Sequence, residues 1–169
     1  MTIQDQIIAL LGNVPVSITY VGRRTDRQQW EHDEWAVSVG DYRTTYRTGL
    51  GHRVWDKPNS QRQVLPQGTK SHKYTAHELG SPRTLHRERM ELAHLKPVTP
   101  HAGDVVASLV RDGEAINQSF IDWCDDYGLN ADSIKDRAMY DECCAAGQHM
   151  RSILSRDTVG AILELTTEL

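Results

Sequence analysis

The spacing of hydrophobic positions changes twice along this chain. Ile3, Ile7, Leu10 and Leu11 recur at helical intervals behind a Thr2-x-x-Asp5 start, and Gly12 and Pro15 end the run, which predicts a short N-terminal helix. From Val14 the period drops to two. Val14, Val16, Ile18 and Tyr20 alternate with polar or smaller residues, as in a half-buried strand. Trp35, Val37 and Val39, then Tyr42, Thr44 and Tyr46, alternate on either side of Gly40-Asp41. A two-residue turn there sets Val39 opposite Tyr42, Val37 opposite Thr44 and Trp35 opposite Tyr46, so all six share one face of a hairpin. The other face carries Arg43, Thr45 and Arg47.

Helical spacing returns in the second half. Thr84 to Leu95 predicts a short helix with Leu85, Arg89, Leu92 and Leu95 near one face, ended by Lys96-Pro97. Thr99-Pro100 reads as an N-cap followed by proline at the first helical position, opening a helix through Val105, Val106, Leu109 and Val110. Phe120, Trp123, Cys124 and Tyr127 fall at i, i+3, i+4 and i+7, a spacing that sends one helix side to the core. Ser119 with Asp122 marks the start of that helix, Gly128 suits a left-handed stop, and Ser133 with Asp136 starts the next helix. This last long helix runs to about Ser155, with Tyr140, Cys143, Cys144, Met150 and Leu154 for packing. Thr158 to Leu165 adds a final turn or two.

These elements predict an α+β fold: an N-terminal helix and a small antiparallel sheet, with a C-terminal cluster of three to four helices on one sheet face. In that arrangement the apolar face of the hairpin meets Phe120, Trp123 and Tyr127. Trp55 to about Ser81 is polar and rich in Pro, Gly, Ser and Asn. The expectation is a single domain over residues 1–169, with the segment from Trp55 to about Ser81 as a contact loop or a tolerated insertion.

Charge changes the picture more than composition does. The net charge of −4 over 169 residues is ordinary. Its distribution is not: residues 1–97 hold 14 Lys+Arg against 10 Asp+Glu, and residues 98–169 hold 5 against 13. A basic half and an acidic half point to a charged partner. Three cysteines, two of them adjacent, predict reduced thiols. No apolar run approaches a membrane span, and the first twelve residues do not resemble a signal peptide, so the expected location is the cytoplasm.

Candidate chemistry is thin. His77, His86, His94 and His101 stand at intervals that match no zinc-ligand spacing, and neither CxxC nor HExxH occurs. The expectation is therefore no metal and no cofactor. P-loop, GxSxG and dinucleotide fingerprints are missing too, which leaves phosphoryl transfer, serine hydrolysis and Rossmann chemistry without support. His52, beyond the Gly49-Leu50-Gly51 strand end, is the best single candidate for an acid or base. The ten acidic residues from Asp104 to Glu142 include neighbours such as Asp125-Asp126 and Asp141-Glu142. Adjacent helical positions point about 100° apart and do not address one ion together. Such carboxylates form a solvated face or a binding face. In the second case Asp122, Asp125, Asp126, Asp132, Asp136, Asp141 and Glu142 imitate nucleic-acid phosphates and contact a cationic protein.

The segments Trp35-x-Val37, Tyr46 with Gly49-x-Gly51-His52, Pro97 to Pro100, Asp104-Val105-Val106 with Leu109, and Ser119-Phe120 with Trp123-Cys124, Gly128, Asp132-Ser133, Tyr140 and Cys144 resemble a family of small proteins encoded by bacteriophages and other mobile elements. The likeness covers roughly 90 residues and is strongest over SFIDWCDDYGLNADS, and it implies that residues 55–95 are an insertion or contact loop. Some members resemble anti-CRISPR inhibitors. That resemblance implies a non-enzymatic protein that binds a CRISPR-Cas effector complex stoichiometrically in the bacterial cytoplasm and blocks DNA binding or nuclease recruitment. Two other readings stay open. One is a phage early protein that binds nucleic acid through Arg23, Arg24, Arg27, Arg43, Arg47 and Arg53; the other is an enzyme that modifies a host defence component.

Overall fold

The computed structural model describes residues 1–25, 30–53 and 97–168. In chain order these form helix α1 (Ile3–Leu10), strands β1 (Val16–Thr25), β2 (Trp30–Val39) and β3 (Tyr42–Arg53), helix α2 (Ala102–Asp112), a 3-10 helix (Gly113–Asn117), and helices α3 (Phe120–Tyr127), α4 (Ile134–Ile153) and α5 (Arg156–Thr166). The strands make one antiparallel sheet in the order β1-β2-β3, and the fold is α+β. The predicted helix over 84–95 and the 55–95 segment lie outside the described residues.

The chain groups into two compact units. Among the described residues, one comprises 1–18, 37–44 and 100–168; the other comprises 19–25, 30–36, 45–53 and 97–99.

The first unit is built around α2. Gly103, Val105, Val106, Ala107, Leu109 and Val110 are all buried, so α2 is covered on nearly every side. Its valines are poor helix formers, because two heavy atoms on Cβ restrict χ1 against the preceding turn. Burial therefore holds this helix more than intrinsic propensity does. Ile7 and Leu11 come in from α1, Ala146, Met150 and Leu154 from the α4 region, and Val159 and Ile162 from α5. The start of α2 corrects the sequence reading. His101, not Thr99, is the N-cap, and its ring Nδ1 accepts from the Gly103 backbone N–H at 3.0 Å. The proline consequently stands before the cap rather than inside the first turn.

Two crossings in this unit bring backbone against backbone. A Cβ on Gly103 would lie 2.7 Å from the Gln4 Cα of α1, and a Cβ on Gly113 would lie 2.6 Å from the Gly147 Cα of α4. Only hydrogen fits at such separations. Beside the first crossing the Gln4 side-chain amide donates to Asp104 at 3.0 Å. The second clamps the 3-10 helix onto the middle of α4.

Helix α3 begins at Ser119, whose hydroxyl accepts from the Asp122 N–H, and ends at Gly128 with φ 65°. Helix α4 begins at Ser133 in the same way, its hydroxyl accepting from the Asp136 N–H. Both starts and the left-handed stop match the sequence reading. The packing of α3 matches it in part. Trp123 and Cys124 are buried with Ala115, and Phe120, Leu129, Tyr140, Cys143 and Cys144 pack around them. Tyr127 instead stays 63% exposed. It is the last residue of an eight-residue helix, where no further turn carries a neighbour over it. The expected contact of the hairpin with Phe120, Trp123 and Tyr127 is also replaced. Trp123 packs against Tyr127 and Tyr140, whereas Tyr42 of the hairpin stacks on His149 of α4 with centroids 4.4 Å apart. Helix α5, capped by Ser155, spans 11 residues rather than a turn or two.

The turn at Gly40-Asp41 is where the alternation placed it, and Gly40 has φ 58°. Along β2 the buried positions are Glu31, Asp33, Trp35, Val37 and Val39, a strict period of two. Within the second unit the Trp35 indole N–H donates to the Thr48 hydroxyl at 2.9 Å, and the Tyr20 and Trp35 rings lie 5.0 Å apart.

Asp33, 1% exposed, occupies the buried face of β2 and is the structural surprise of the sheet. Arg23 grips it with two hydrogen bonds of 3.0 and 3.2 Å, and the Tyr20 hydroxyl donates at 3.0 Å. Residues three apart on a regular strand point to opposite faces. Tyr20 and Arg23 reach the same carboxylate because the strand parity slips between them, at Gly22, whose φ is 153°. The carboxylate raises the Arg23 pKa through these hydrogen bonds, and burial followed by the bond to Asp33 raises that of Tyr20.

Three substitutions test this packing. Gly147→Ala, which pushes a methyl group into the Gly113 backbone, lowers the unfolding free energy by roughly 1–3 kcal/mol. Gly160→Ala in α5, where a Cβ meets nothing within 4 Å, raises it by about 0.5–1 kcal/mol. Denaturant titration of both variants checks the contrast. Arg23→Ala strips the buried Asp33 of its counter-charge, a change that costs roughly 3–5 kcal/mol at such pairs. Hydrogen exchange should show lost protection in β1 and β2; unchanged protection there would contradict the buried-pair reading.

Candidate functional site

Helix α3, the turn after it and the first half of α4 carry the seven acidic candidates. Residues 119–133 hold Asp122, Asp125, Asp126 and Asp132 with no Lys or Arg among them. The seven carboxylates divide by what they touch. Asp136 is half-buried and accepts from the Asn130 backbone N–H at 3.0 Å, which ties the turn to α4. Asp126 accepts from the Gln118 side-chain amide. Asp141 pairs with Arg137 one turn earlier on α4 at 3.2 Å. These three shape the local fold. The carboxylates of Asp122, Asp125, Asp132 and Glu142 make no hydrogen bond or ion pair with another described residue. Their exposure leaves them available to a partner.

Apolar side chains interrupt this acidic surface. Ile121 is 63% exposed and Ile134 90%, and Tyr127 and Met139 also face solvent. Ile121 and Asp125 lie four apart on α3 and share one line along it. Ile134 is the first residue of α4, directly after Asp132-Ser133. The acids are legible in the sequence and these apolar residues are not, because Ile121 and Ile134 look like core when only hydrophobicity is counted. Helical phase was the available signal: Ile121 falls outside the line of Phe120, Trp123, Cys124 and Tyr127.

Beneath this surface an aromatic cluster fixes the helices. Phe120 and Tyr140 rings lie 5.3 Å apart and Trp123 and Tyr140 5.4 Å apart, while the Arg137 guanidinium sits 5.0 Å above the Phe120 ring. The Tyr140 hydroxyl donates to the Gln118 backbone carbonyl at 2.6 Å, pinning the segment that leads into α3. Arg137 is thereby held by Asp141 and by the aromatic rings, which takes a cation away from the neighbouring free carboxylates.

The basic candidates are dispersed differently. Arg23 belongs to the buried Asp33 pair, with only 21% of its side chain exposed. On the opposite face of β2, Glu34 lies 3.8 Å from Arg24, 3.6 Å from Arg47 and 3.3 Å from His32. One carboxylate thus sits among three basic groups. Arg43 is exposed on β3. Arg27 and the side chains of His52 and Arg53 lie outside the described residues, as do His77, His86 and His94. The fourth histidine of that series, His101, caps α2 and lies 3.6 Å from Asp5. Among the described residues no group of three His, Cys, Asp or Glu side chains is arranged to hold a metal ion. None of the described helices is long and apolar enough to cross a membrane.

The three cysteines are free thiols. Burial pushes the Cys143 thiol up to about 11, with the charges of Asp112, Cys144 and Glu142 adding to the effect. Burial also raises Asp112, and Arg111 opposes that rise.

Compared with protein-family models, with curated proteins and with solved structures, the chain matches none.

The raised Cys143 value has a measurable sign. A thiol whose folded-state pKa lies above its unfolded value of about 8.5 stays protonated when folded. Stability therefore falls as pH rises above the unfolded value toward 11. Alkylation of Cys143 by iodoacetamide at pH 8 should be about two orders of magnitude slower in the native protein than in denaturant, because the thiolate is the reactive form. Mass mapping of the modified peptide provides the check, and equal rates in the two states would contradict it.

Proposed function

We propose that this protein acts by stoichiometric binding, with the α3–α4 surface docking on a cationic region of another protein. The observation that supports this reading is the combination of four uncommitted carboxylates with exposed Ile121, Tyr127 and Ile134 on the same two helices and their connecting turn. Apolar anchors supply area that leaves water on binding, and surrounding charge supplies steering and partner choice. Nucleic acid is disfavoured as the direct ligand of this surface, because its phosphates carry the same sign as the aspartates. A protein that itself grips nucleic acid has the complementary charge.

The resemblance to mobile-element proteins, some of them similar to anti-CRISPR inhibitors, makes a CRISPR-Cas effector complex the partner we propose. Binding at a basic groove would block access of DNA or recruitment of a nuclease without turnover. The basic sheet residues support a nucleic-acid site less well, since Arg23 is engaged with Asp33 and Arg24 and Arg47 share Glu34.

The test uses purified protein and assembled effector complex in a binding titration at low and moderate salt. The Asp122→Asn, Asp125→Asn, Asp132→Asn, Glu142→Gln variant should lose at least a hundredfold in affinity, with its thermal midpoint retained. Asp136→Ala should do the reverse, lowering the midpoint through loss of the turn contact while leaving affinity within a few-fold. Full affinity in the fourfold variant would reject the acidic face as the docking surface. An absence of complex between the unmodified protein and such effectors would reject the choice of partner.

A further inference from the structure

A second site, away from the acidic helices, lies where the 3-10 helix, the end of α4 and the first turns of α5 enclose a cleft of about 490 Å³. Its lining combines Arg151, Arg156, Asn117 and Glu114 with an apolar floor of Val159 and Leu163 around Gly160. The volume is in the range of small-molecule sites, and four of the seven lining residues are polar or charged.

The polar groups are organised. The Asn117 side-chain amide donates to Glu114 at 2.8 Å. Arg151 donates to the Asn117 side-chain oxygen at 3.1 Å and lies 3.6 Å from the other Glu114 oxygen. Three side chains from two elements thereby hold one another, and Glu114 already answers the charge of Arg151. Arg156, also on the cleft, has no ion pair with another described residue. One positive charge is left over in the cleft. A guanidinium offers several N–H donors in a planar fork that suits carboxylate and phosphate oxygens.

Gly160 completes the arrangement. It stands inside α5, where glycine weakens a helix, and a Cβ built there meets no atom within 4 Å. Neither backbone conformation nor contact with another element requires a glycine at this position, in contrast to Gly113 and Gly147. Its effect is to leave the floor of the cleft open.

We propose that this cleft binds a small organic anion, a phosphate or carboxylate attached to an apolar group. Arg156 takes the charge, the Arg151–Asn117–Glu114 set forms a fixed polar wall, and the apolar part lies over Gly160 between Val159 and Leu163. The site is independent of the α3–α4 docking surface, and its failure would leave that reading untouched.

The experiment is an NMR titration of the full chain with inorganic phosphate and with phenyl phosphate, following backbone amides of residues 113–117 and 156–163. Phenyl phosphate should give saturable shifts confined to these residues and bind at least fivefold more tightly than inorganic phosphate. Arg156→Gln should weaken phenyl phosphate at least tenfold. Gly160→Leu should abolish binding while melting at or above the temperature of the unmodified protein, which separates a filled cleft from an unfolded one. Lys135→Gln, distant in the sequence and outside the cleft lining, should bind as the unmodified protein does. The proposal is overturned if neither anion produces saturable shifts, or if Arg156→Gln or Gly160→Leu binds phenyl phosphate with unchanged affinity.

Discussion

The contact between Gly113 and Gly147 sets the geometry of the helical unit. At this point the 3-10 helix and α4 approach backbone to backbone, leaving no room for a side chain on either strand of the contact. The position of α4 along the core is then fixed at its middle. One turn beyond Gly147 stands Arg151, which the crossing brings to Asn117 and Glu114 of the same 3-10 helix. Two turns before it stands Tyr140, whose hydroxyl reaches Gln118 just past the end of that helix. A crossing held by hydrogen atoms alone thus organises the polar wall on one side and the aromatic cluster under α3 on the other. Close packing of this kind transmits displacement readily, because there is no flexible side chain to absorb it.

The two sites differ in how charge is used. On α3 and the start of α4, Arg137 is held by Asp141 and the Phe120 ring and Lys135 is the one unpaired cation among the described residues there, so the charge that remains on balance is negative. At the cleft the anion Glu114 is held by Arg151, and the charge that remains is positive. Net charge by sequence segment therefore describes the available charge poorly. What a partner meets is the residue left after internal pairing.

Much of the secondary structure was legible because its signals are local. Thr2, Ser119 and Ser133 each accept from a backbone N–H three residues on, and Gly128 and Gly40 adopt the positive φ their positions suggested. The alternation in β2 and β3 located the hairpin turn to the residue. The errors have physical causes as well. Thr99-Pro100 carried a valid cap signature, but the His101 ring supplies the cap two residues later. Tyr127 fits the helical phase of the core yet lies where α3 stops. Of the seven acidic candidates, the sequence could not separate those that hold turns from those that face solvent, because Asp126 and Asp136 find partners ten or fewer residues away through backbone curvature that the pattern alone does not encode. Arg23 stands in the sequence among six arginines suited to nucleic acid; the parity slip at Gly22 turns it toward Asp33 instead.

Placing Asp33 on the buried side of β2 has a consequence for how the sheet assembles. A strand pairing one residue out of step turns every side chain to the other face, and the apolar residues of β2 already oppose it. A slip of β2 by one residue would bring His32 or Glu34 to the Arg23 and Tyr20 side and carry Asp33 away from both of its donors. The Tyr20–Arg23–Asp33 triad adds to the preference for the native register: there the buried carboxylate has two donors, and a slip that presents His32 leaves Arg23 without a carboxylate. The sheet gives up part of the stability a wholly apolar face would offer and gains intolerance of its own near-misses.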